Sequence, residues 1–162
     1  MANTHQYESR LEWKGNLGTG TATYAGYDRE YTVAIEGKPE LRGSADPMFK
    51  GNKDLHNPED LFVAAISSCH MLSYLALCAR KGVSVVSYKD DARGTLELDS
   101  KGGGKFSEVN LNPLVVIADA ANQALAISLH EEAHKQCYIA SSCSVPIHHK
   151  ATVRIESSLH AQ

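Results

Sequence analysis

Four cysteines are the residues best suited to chemistry in this sequence: Cys69, Cys78, Cys137 and Cys143. The first fifteen residues have no apolar core and no small-residue cleavage site, so we do not read them as a signal peptide. We therefore expect a cytoplasmic protein. In that reducing compartment, cysteines are reactive, metal-binding or buried more often than they form structural disulfides.

Cys69 stands in the middle of an uncharged, mostly apolar run, residues 61–79. Its polar neighbours in that run are Ser67, Ser68, His70 and Ser73. A buried free thiol usually acts as a small hydrophobe, which is our prediction for Cys78. A thiol peroxidase instead needs a thiolate held by a nearby cation, and a second thiol that condenses with the sulfenic acid. Cys69 and Cys137 are the candidates for those two roles.

The segment His130-Glu131-Glu132-Ala133-His134 fits the zinc-protease pattern H-E-x-x-H, in which two histidines lie one turn apart on a helix. No later histidine or glutamate has convincing spacing for a third ligand. We therefore predict solvent-exposed histidines on a helix face and no metal. A zinc hydrolase using His130 and His134 stays open as a third hypothesis.

The composition excludes some classes of partner. A net charge of -3 and a pI near 6.2 give no basic surface for nucleic acid or an anionic membrane. The uncharged run 61–79 is close to the length of a membrane-spanning helix. Its polar centre, however, favours a fully buried helix in a soluble core.

The N-terminal third of the sequence predicts a meander of antiparallel strands. Polar and apolar residues alternate over residues 5–13 and 31–35, as in half-buried strands. Glycine-rich residues 14–18 predict a turn into a second strand at about 21–24. Residues 40–43 predict a short further strand, followed by a loop over 44–56.

The central helix has clear boundary signals. Asn57 is a favourable N-cap, Pro58 suits the first helical position, and Glu59 and Asp60 face the positive end of the helix dipole. The helix should end near residues 80–81, with Gly82 as its cap. Because it is apolar nearly all round, we expect it to be surrounded on most sides.

The rest of the chain predicts further strands and a second helix. Strand-like runs at 85–98 and 106–117 are joined by a hairpin loop over residues 99–104, and a second helix spans about 119–136. A last strand covers 150–157. We therefore predict one α+β domain over residues 1–162, with the order β-β-β-α-β-β-α-β and a single antiparallel sheet carrying two helices on one face.

The stretch from His56 to His70, HNPEDLFVAAISSCH, resembles the Asn-Pro-Glu-x-Leu…Cys signature of the OsmC/Ohr family of osmotically inducible and organic hydroperoxide resistance proteins. The segment Ala133-His134-Lys135-Gln136-Cys137 is similar to the family's second cysteine motif. The order of elements agrees over essentially the whole chain. The longer loop at 43–52 resembles a less characterised branch of the family.

This resemblance implies a thiol-dependent peroxidase. Cys69 would attack the peroxide and become a sulfenic acid, and Cys137 would close a Cys69–Cys137 disulfide. Cys143 is a less favoured alternative for the second role. In the family, the signature glutamate, here Glu59, orients an arginine against the thiolate. Our choices for that arginine are, in order, Arg42, Arg29 and Arg10.

The resemblance also implies partners. The family forms intertwined homodimers and reduces organic hydroperoxides in preference to hydrogen peroxide, with a dithiol such as a lipoylated protein as reductant. Phe49, Phe62 and Met71 are candidate walls of an apolar pocket. No cofactor is expected. The alternative is a non-catalytic dimeric protein that senses redox state or binds a hydrophobic ligand.

Overall fold

The computed structural model describes residues 3–156. The chain divides into two compact units, Met1–Phe62 and Val63–Gln162. The α+β class is confirmed, whereas a single domain over residues 1–162 stays a prediction.

The N-terminal unit contains a meander of three antiparallel strands in the order β1-β2-β3. They are β1 (Arg10–Trp13), β2 (Tyr31–Ala34) and β3 (Leu41–Gly43). The first strand is shorter than predicted because its neighbour β2 offers four residues for pairing, from Arg10 opposite Ala34 to Trp13 opposite Tyr31.

The strand predicted near residues 21–24 is wrong. Turns and bends occupy this segment. The Asn16 side-chain oxygen accepts hydrogen bonds from the backbone N–H groups of Gly18 and Gly20, at 2.9 and 3.0 Å. Both glycines have positive φ, 111° and 58°. This backbone conformation is typical of loops and does not fit a hydrogen-bonded β-strand.

The central helix α1 (Pro58–Arg80) begins and ends as predicted. Asn57 Oδ1 accepts from the Asp60 backbone N–H at 2.8 Å, and Asp60 Oδ2 accepts from the Asn57 N–H at 3.3 Å. This reciprocal pair is a capping box, which satisfies donors that a helix start leaves open. Gly82 follows the helix with φ +74°, as a left-handed cap requires.

The prediction that α1 is fully buried is wrong for the isolated chain. Only 28% of its most apolar 18-residue window is buried, and the Leu72 side chain is 62% exposed. By length and composition α1 could also cross a membrane, a test that the core helix of a soluble protein passes equally.

In the second unit, each long predicted strand is divided in two. Residues 85–98 form β4 (Val85–Asp90) and β5 (Arg93–Leu98), and residues 104–117 form β6 (Gly104–Leu111) and β7 (Pro113–Ile117). The Asp90 carboxylate stabilises the break: it accepts from the Asn112 N–H at 2.7 Å and from the Ser67 hydroxyl at 2.5 Å. The side chain thereby replaces ladder hydrogen bonds that the break removes.

The C-terminal part contains more elements than predicted: α2 (Gln123–Gln136), α3 (Tyr138–Ser141), β8 (Ile147–His149) and β9 (Thr152–Ile155). A 3-10 turn capped by Asp119 precedes α2. Strands β8 and β9 pair in parallel with β6 and β7, so the second unit has two three-stranded sheets, β4-β7-β9 and β5-β6-β8, in place of one antiparallel sheet. Ser157, the predicted end of the last strand, lies outside the described residues.

The core of this unit lies between α1, α2 and the sheet β4-β7-β9. It is formed by Tyr74, Leu77, Cys78, Val83, Val115, Ile117, Ala126, Leu129, Ala133 and Val153. Cys78 is therefore a core residue, as predicted.

Candidate functional site

The two cysteines singled out from the sequence meet in the second unit. Cys69 lies in the middle of α1 and is partly exposed, whereas Cys137 follows the last residue of α2 and is 1% exposed. The two thiols interact, because a hydrogen bond with the Cys69 side chain is among the causes that raise the pKa of Cys137. Residues 68 positions apart in sequence thus bring two thiols close enough to act on each other.

Burial and the hydrogen bond with Cys69 raise the pKa of Cys137 to about 11. The Cys137 sulfur also accepts from the Ala140 backbone N–H at 3.4 Å, which lowers this pKa without offsetting the other causes. Because α3 begins directly after Cys137, its first turn supplies that donor. Cys137 is therefore protonated at neutral pH and can donate to the sulfur of Cys69.

Helices α1 and α2 are joined by polar contacts beside the thiol pair. His70 Nε2 lies 3.0 Å from His130 Nδ1, and both side chains are 1% exposed. The Tyr74 hydroxyl donates to the Ala126 carbonyl at 3.0 Å. The Tyr74 ring stacks on His130, with 3.8 Å between centroids.

The prediction that the histidines on α2 are solvent-exposed is wrong for His130, because α2 turns that residue toward α1. Burial, followed by the charges of His149 and His134, lowers the pKa of His70 to about 4. Burial, followed by the charges of His70 and His149, lowers the pKa of His130 to about 3. Both imidazoles are therefore neutral at physiological pH.

The H-E-x-x-H segment is not assembled as a zinc site. The Glu131 carboxylate forms an ion pair with Lys135 at 3.4 Å, and its other oxygen lies 3.4 Å from Nε2 of His149. One nitrogen of His130 is engaged by His70. Within residues 3–156, no group of three or more histidine, cysteine, aspartate or glutamate side chains is placed to hold a metal ion.

The predicted arginines lie in the N-terminal unit. Arg42 on β3 forms an ion pair with Glu30 at 3.2 Å, and Asn52 donates to the same carboxylate at 3.0 Å. Arg29 lies over the rings of Tyr24 and Tyr27, at 4.5 and 4.0 Å from their centroids. Among the described ion pairs, Arg42 is joined to Glu30 and not to Glu59.

Glu59 occupies the first turn of α1, the helix that carries Cys69. In its own unit, it acts on Tyr31: burial, followed by the negative charge of Glu59, raises the pKa of Tyr31. Cys143 lies after α3 and its thiol contacts the Ala140 carbonyl at 3.6 Å.

The sequence interpretation missed the pairing of His70 with His130. A signal was present, because His70 directly follows Cys69, and His130 precedes Cys137 by seven residues. Seven residues are close to two helical turns, so His130 and the end of α2 that leads to Cys137 share one face.

The model of the family OsmC, described as OsmC-like protein, matches residues 51–152, which include α1, α2 and both site cysteines. The chain belongs to the OsmC-like family. None of the curated protein sequences matches this OsmC-like chain significantly.

Solved structures agree with the family. An OsmC-like protein of unknown function from Vibrio cholerae is 30% identical, with a TM-score of 0.82 over 92% of this chain and 100% of that one. An organic hydroperoxide resistance protein from Elizabethkingia anophelis is 20% identical, with a TM-score of 0.68 over 96% and 100% of the two chains. Another from Legionella pneumophila is 16% identical, with a TM-score of 0.65 over 94% and 99%. The two latter likenesses show the OsmC-like fold alone.

Proposed function

We propose that this OsmC-like protein is a thiol-dependent peroxidase that reduces organic hydroperoxides through Cys69 and Cys137. The observation that carries the proposal is the interaction of two thiols, of which Cys69 is partly exposed and Cys137 is buried. Peroxide reduction by cysteine needs an accessible thiolate and a second thiol within reach of the sulfenic acid.

The reaction balances in two steps. The Cys69 thiolate attacks the distal peroxide oxygen, the O–O bond breaks, and the alkoxide leaves and is protonated to an alcohol. Cys137 then attacks the Cys69 sulfenic acid, the S–S bond forms, and the hydroxyl leaves with the Cys137 proton as water. An external dithiol reduces the disulfide and is itself oxidised.

The exposures of the two thiols suit these different roles. Cys69 is partly exposed and therefore accessible to a peroxide from solution, whereas the buried, protonated Cys137 is protected from direct oxidation. The order of events therefore runs from Cys69 to Cys137.

We propose, as the family resemblance implies, that Glu59 orients an arginine toward the thiolate and that Arg42, whose guanidinium pairs with Glu30 in this structure, is this arginine. Arg29 is the weaker candidate in this structure, because its guanidinium already donates to the Tyr24 and Tyr27 carbonyls and lies over both rings. A guanidinium held by a carboxylate is pre-organised for a thiolate.

We further propose a homodimer that acts in the cytoplasm, where dithiols such as lipoylated proteins can close the cycle. Three exposed positions at four-residue spacing on α1, Ala64, Ser68 and Leu72, form a stripe that the second unit leaves uncovered. Small residues on such a stripe allow close packing of two helices. We also propose that residues 1–162 act as one domain.

The test uses reduced protein and one equivalent of cumene hydroperoxide, with hydrogen peroxide in a parallel reaction, and mass spectrometry of every cysteine. Wild type should form one Cys69–Cys137 disulfide, faster with cumene hydroperoxide. Cys69→Ser should abolish peroxide consumption. Cys137→Ser should stop at the sulfenic acid, trapped with dimedone.

Two further cysteine variants serve as matched controls. Cys78→Ala should keep the disulfide, because Cys78 lies in the core, and Cys143→Ser should keep it if Cys137 is the resolving thiol. Peroxide turnover by Cys69→Ser at the wild-type rate would refute the mechanism. A wild-type protein that binds cumene hydroperoxide without consuming it would instead support a non-catalytic binding protein.

A further inference from the structure

We propose that His70 and His130 are positioning residues: their buried hydrogen bond fixes α2 on α1 and so holds Cys137 against Cys69. The role of this histidine pair in peroxide turnover rests on the function proposed above. The effect of the pair on the distance between the two thiols is independent of that function, because any oxidant that forms the Cys69–Cys137 disulfide reports on this distance.

The contacts between the helices are arranged to fix one relative position. On α1, Cys69 and His70 are consecutive, so their side chains point about 100° apart around the helix axis. On α2, His130 lies about two turns, roughly 10 Å, before Cys137. Two contacts that are separated around one helix and along the other restrict both rotation and sliding. Without the histidine contact, the distance between the Cys69 and Cys137 thiols is no longer fixed.

The histidine contact is directional and shielded from water. The two rings are nearly coplanar, at 10°, with 5.4 Å between centroids and 3.0 Å between Nε2 of His70 and Nδ1 of His130. One neutral imidazole donates and the other accepts. A hydrogen bond in a dry interior is stronger than one in water, and its geometry is accordingly more restrictive.

The second face of His130 is also held. Tyr74 stacks on this ring and donates its hydroxyl to the Ala126 carbonyl one turn earlier on α2. Two side chains of α1, His70 and Tyr74, therefore bind α2 at two successive turns.

The imidazole pair contributes less to the stability of the folded state than an apolar pair of similar size would. In the described residues, His70 Nδ1 and His130 Nε2 are buried and have no hydrogen-bond partner. Buried polar atoms without partners oppose folding, and two leucines would fill this space without them. A histidine pair that lowers stability but forms a directional hydrogen bond is suited to fixing the relative position of α1 and α2.

The test measures the stability of the Cys69–Cys137 disulfide relative to glutathione, in the absence of peroxide. In a Cys78→Ala, Cys143→Ser background, the Cys69–Cys137 disulfide is equilibrated with reduced and oxidised glutathione. The dithiol is oxidised to the disulfide as one oxidised glutathione is reduced to two glutathione thiols. The equilibrium constant gives the effective concentration of one thiol at the other.

Two double variants of identical composition form the decisive comparison. His70→Gln with His130→Asn keeps polar atoms near the original Nε2 and Nδ1 positions, whereas His70→Asn with His130→Gln moves both. We expect the first to retain the wild-type effective concentration and the second to lower it about 10- to 100-fold, as for displaced reacting groups. Tyr88→Phe is the packing control, since the Tyr88 hydroxyl is buried without a partner in the described residues.

Equal effective concentrations in the two double variants, with both folded by far-UV circular dichroism, would overturn the inference. So would a wild-type protein that forms no Cys69–Cys137 disulfide in any glutathione buffer. If the glutathione result is as expected but cumene hydroperoxide is not consumed, the positioning role stands and the proposed peroxidase function fails. If the second double variant does not fold, His130→Gln alone, which moves one nitrogen, replaces it in the same comparison.

Discussion

Tyr74 on α1 and His130 on α2 lie ring over ring, with 3.8 Å between their centroids. The Tyr74 hydroxyl reaches past this ring to the Ala126 carbonyl. Burial, followed by a hydrogen bond with Cys78, raises the pKa of Tyr74, so this hydroxyl stays a donor throughout the physiological range. One side chain thus joins the two helices that carry the thiols.

Removal of this hydroxyl should destabilise the protein. Tyr74→Phe leaves the Ala126 carbonyl without that donor, and we expect the free energy of unfolding to fall by about 1 kcal/mol, measured by urea denaturation. Tyr88→Phe removes a hydroxyl that is buried without a partner in residues 3–156, and should be neutral or stabilising. Equal losses in both variants would contradict the assignment of the Tyr74 contact.

Stability should fall as the pH falls below about 6.5. Burial lowers the pKa of His70 to about 4 and that of His130 to about 3, whereas in the unfolded chain both keep the ordinary value near 6.5. Between these two pKa values the unfolded state therefore binds more protons than the folded state. The contribution of each neutral histidine to the free energy of unfolding is fully present above pH 6.5 and decreases as the pH falls toward the folded-state pKa. Each histidine should remove about 2 kcal/mol between pH 7 and pH 5.

Urea denaturation at pH 7, 6 and 5 measures this dependence. The His70→Gln, His130→Asn double variant should show a much flatter profile, because neither replacement titrates. His148→Gln, at an exposed position on β8, should keep the wild-type slope. A double variant with an unchanged slope would show that other groups take up the protons.

The pKa of Cys137 should depend on Cys69. Burial comes first among the causes that raise it to about 11, and the hydrogen bond with Cys69 comes second. Cys69→Ala removes the second cause, so the pKa of Cys137 should fall below about 11 and stay above the ordinary value near 8.5. The ¹³C chemical shift of the labelled Cys137 Cβ, followed against pH with Cys78 and Cys143 replaced and with Cys69 present or replaced by alanine, measures this pKa. An unchanged pKa would mean that the two thiols do not interact.

A charge on the uncovered stripe of α1 should dissociate the proposed dimer. Leu72 is 62% exposed in the single chain, so Leu72→Glu should leave the folded subunit intact while desolvation of the carboxylate opposes an interface there. Sedimentation velocity should show monomer for Leu72→Glu and dimer for wild type. Lys101→Glu, a charge change in the hairpin between β5 and β6, should remain dimeric. A dimeric Leu72→Glu would place the interface elsewhere.

Local chemistry accounts for the elements that the sequence predicted well. The bounds of α1 follow from Asn57, Pro58 and Gly82, because caps act within one turn of a helix end and need no distant partner. The meander from β1 to β3 follows from alternation of polar and apolar residues. Strand pairing was less predictable: β8 has three residues, too few for a periodic pattern to develop, and the alternation that predicted β9 does not specify its parallel pairing with β7.

The sequence by itself determined the α+β class, the central helix and which cysteines are candidates for chemistry, since residue type and spacing along the chain encode these. Only the tertiary structure decided that Cys69 touches Cys137 and that His130 faces His70 inside the core. The reason is physical: contact between side chains 60 or more positions apart depends on how α2 is packed on α1. The spacing of residues within a helix places them on one face, but it does not specify which other helix that face contacts.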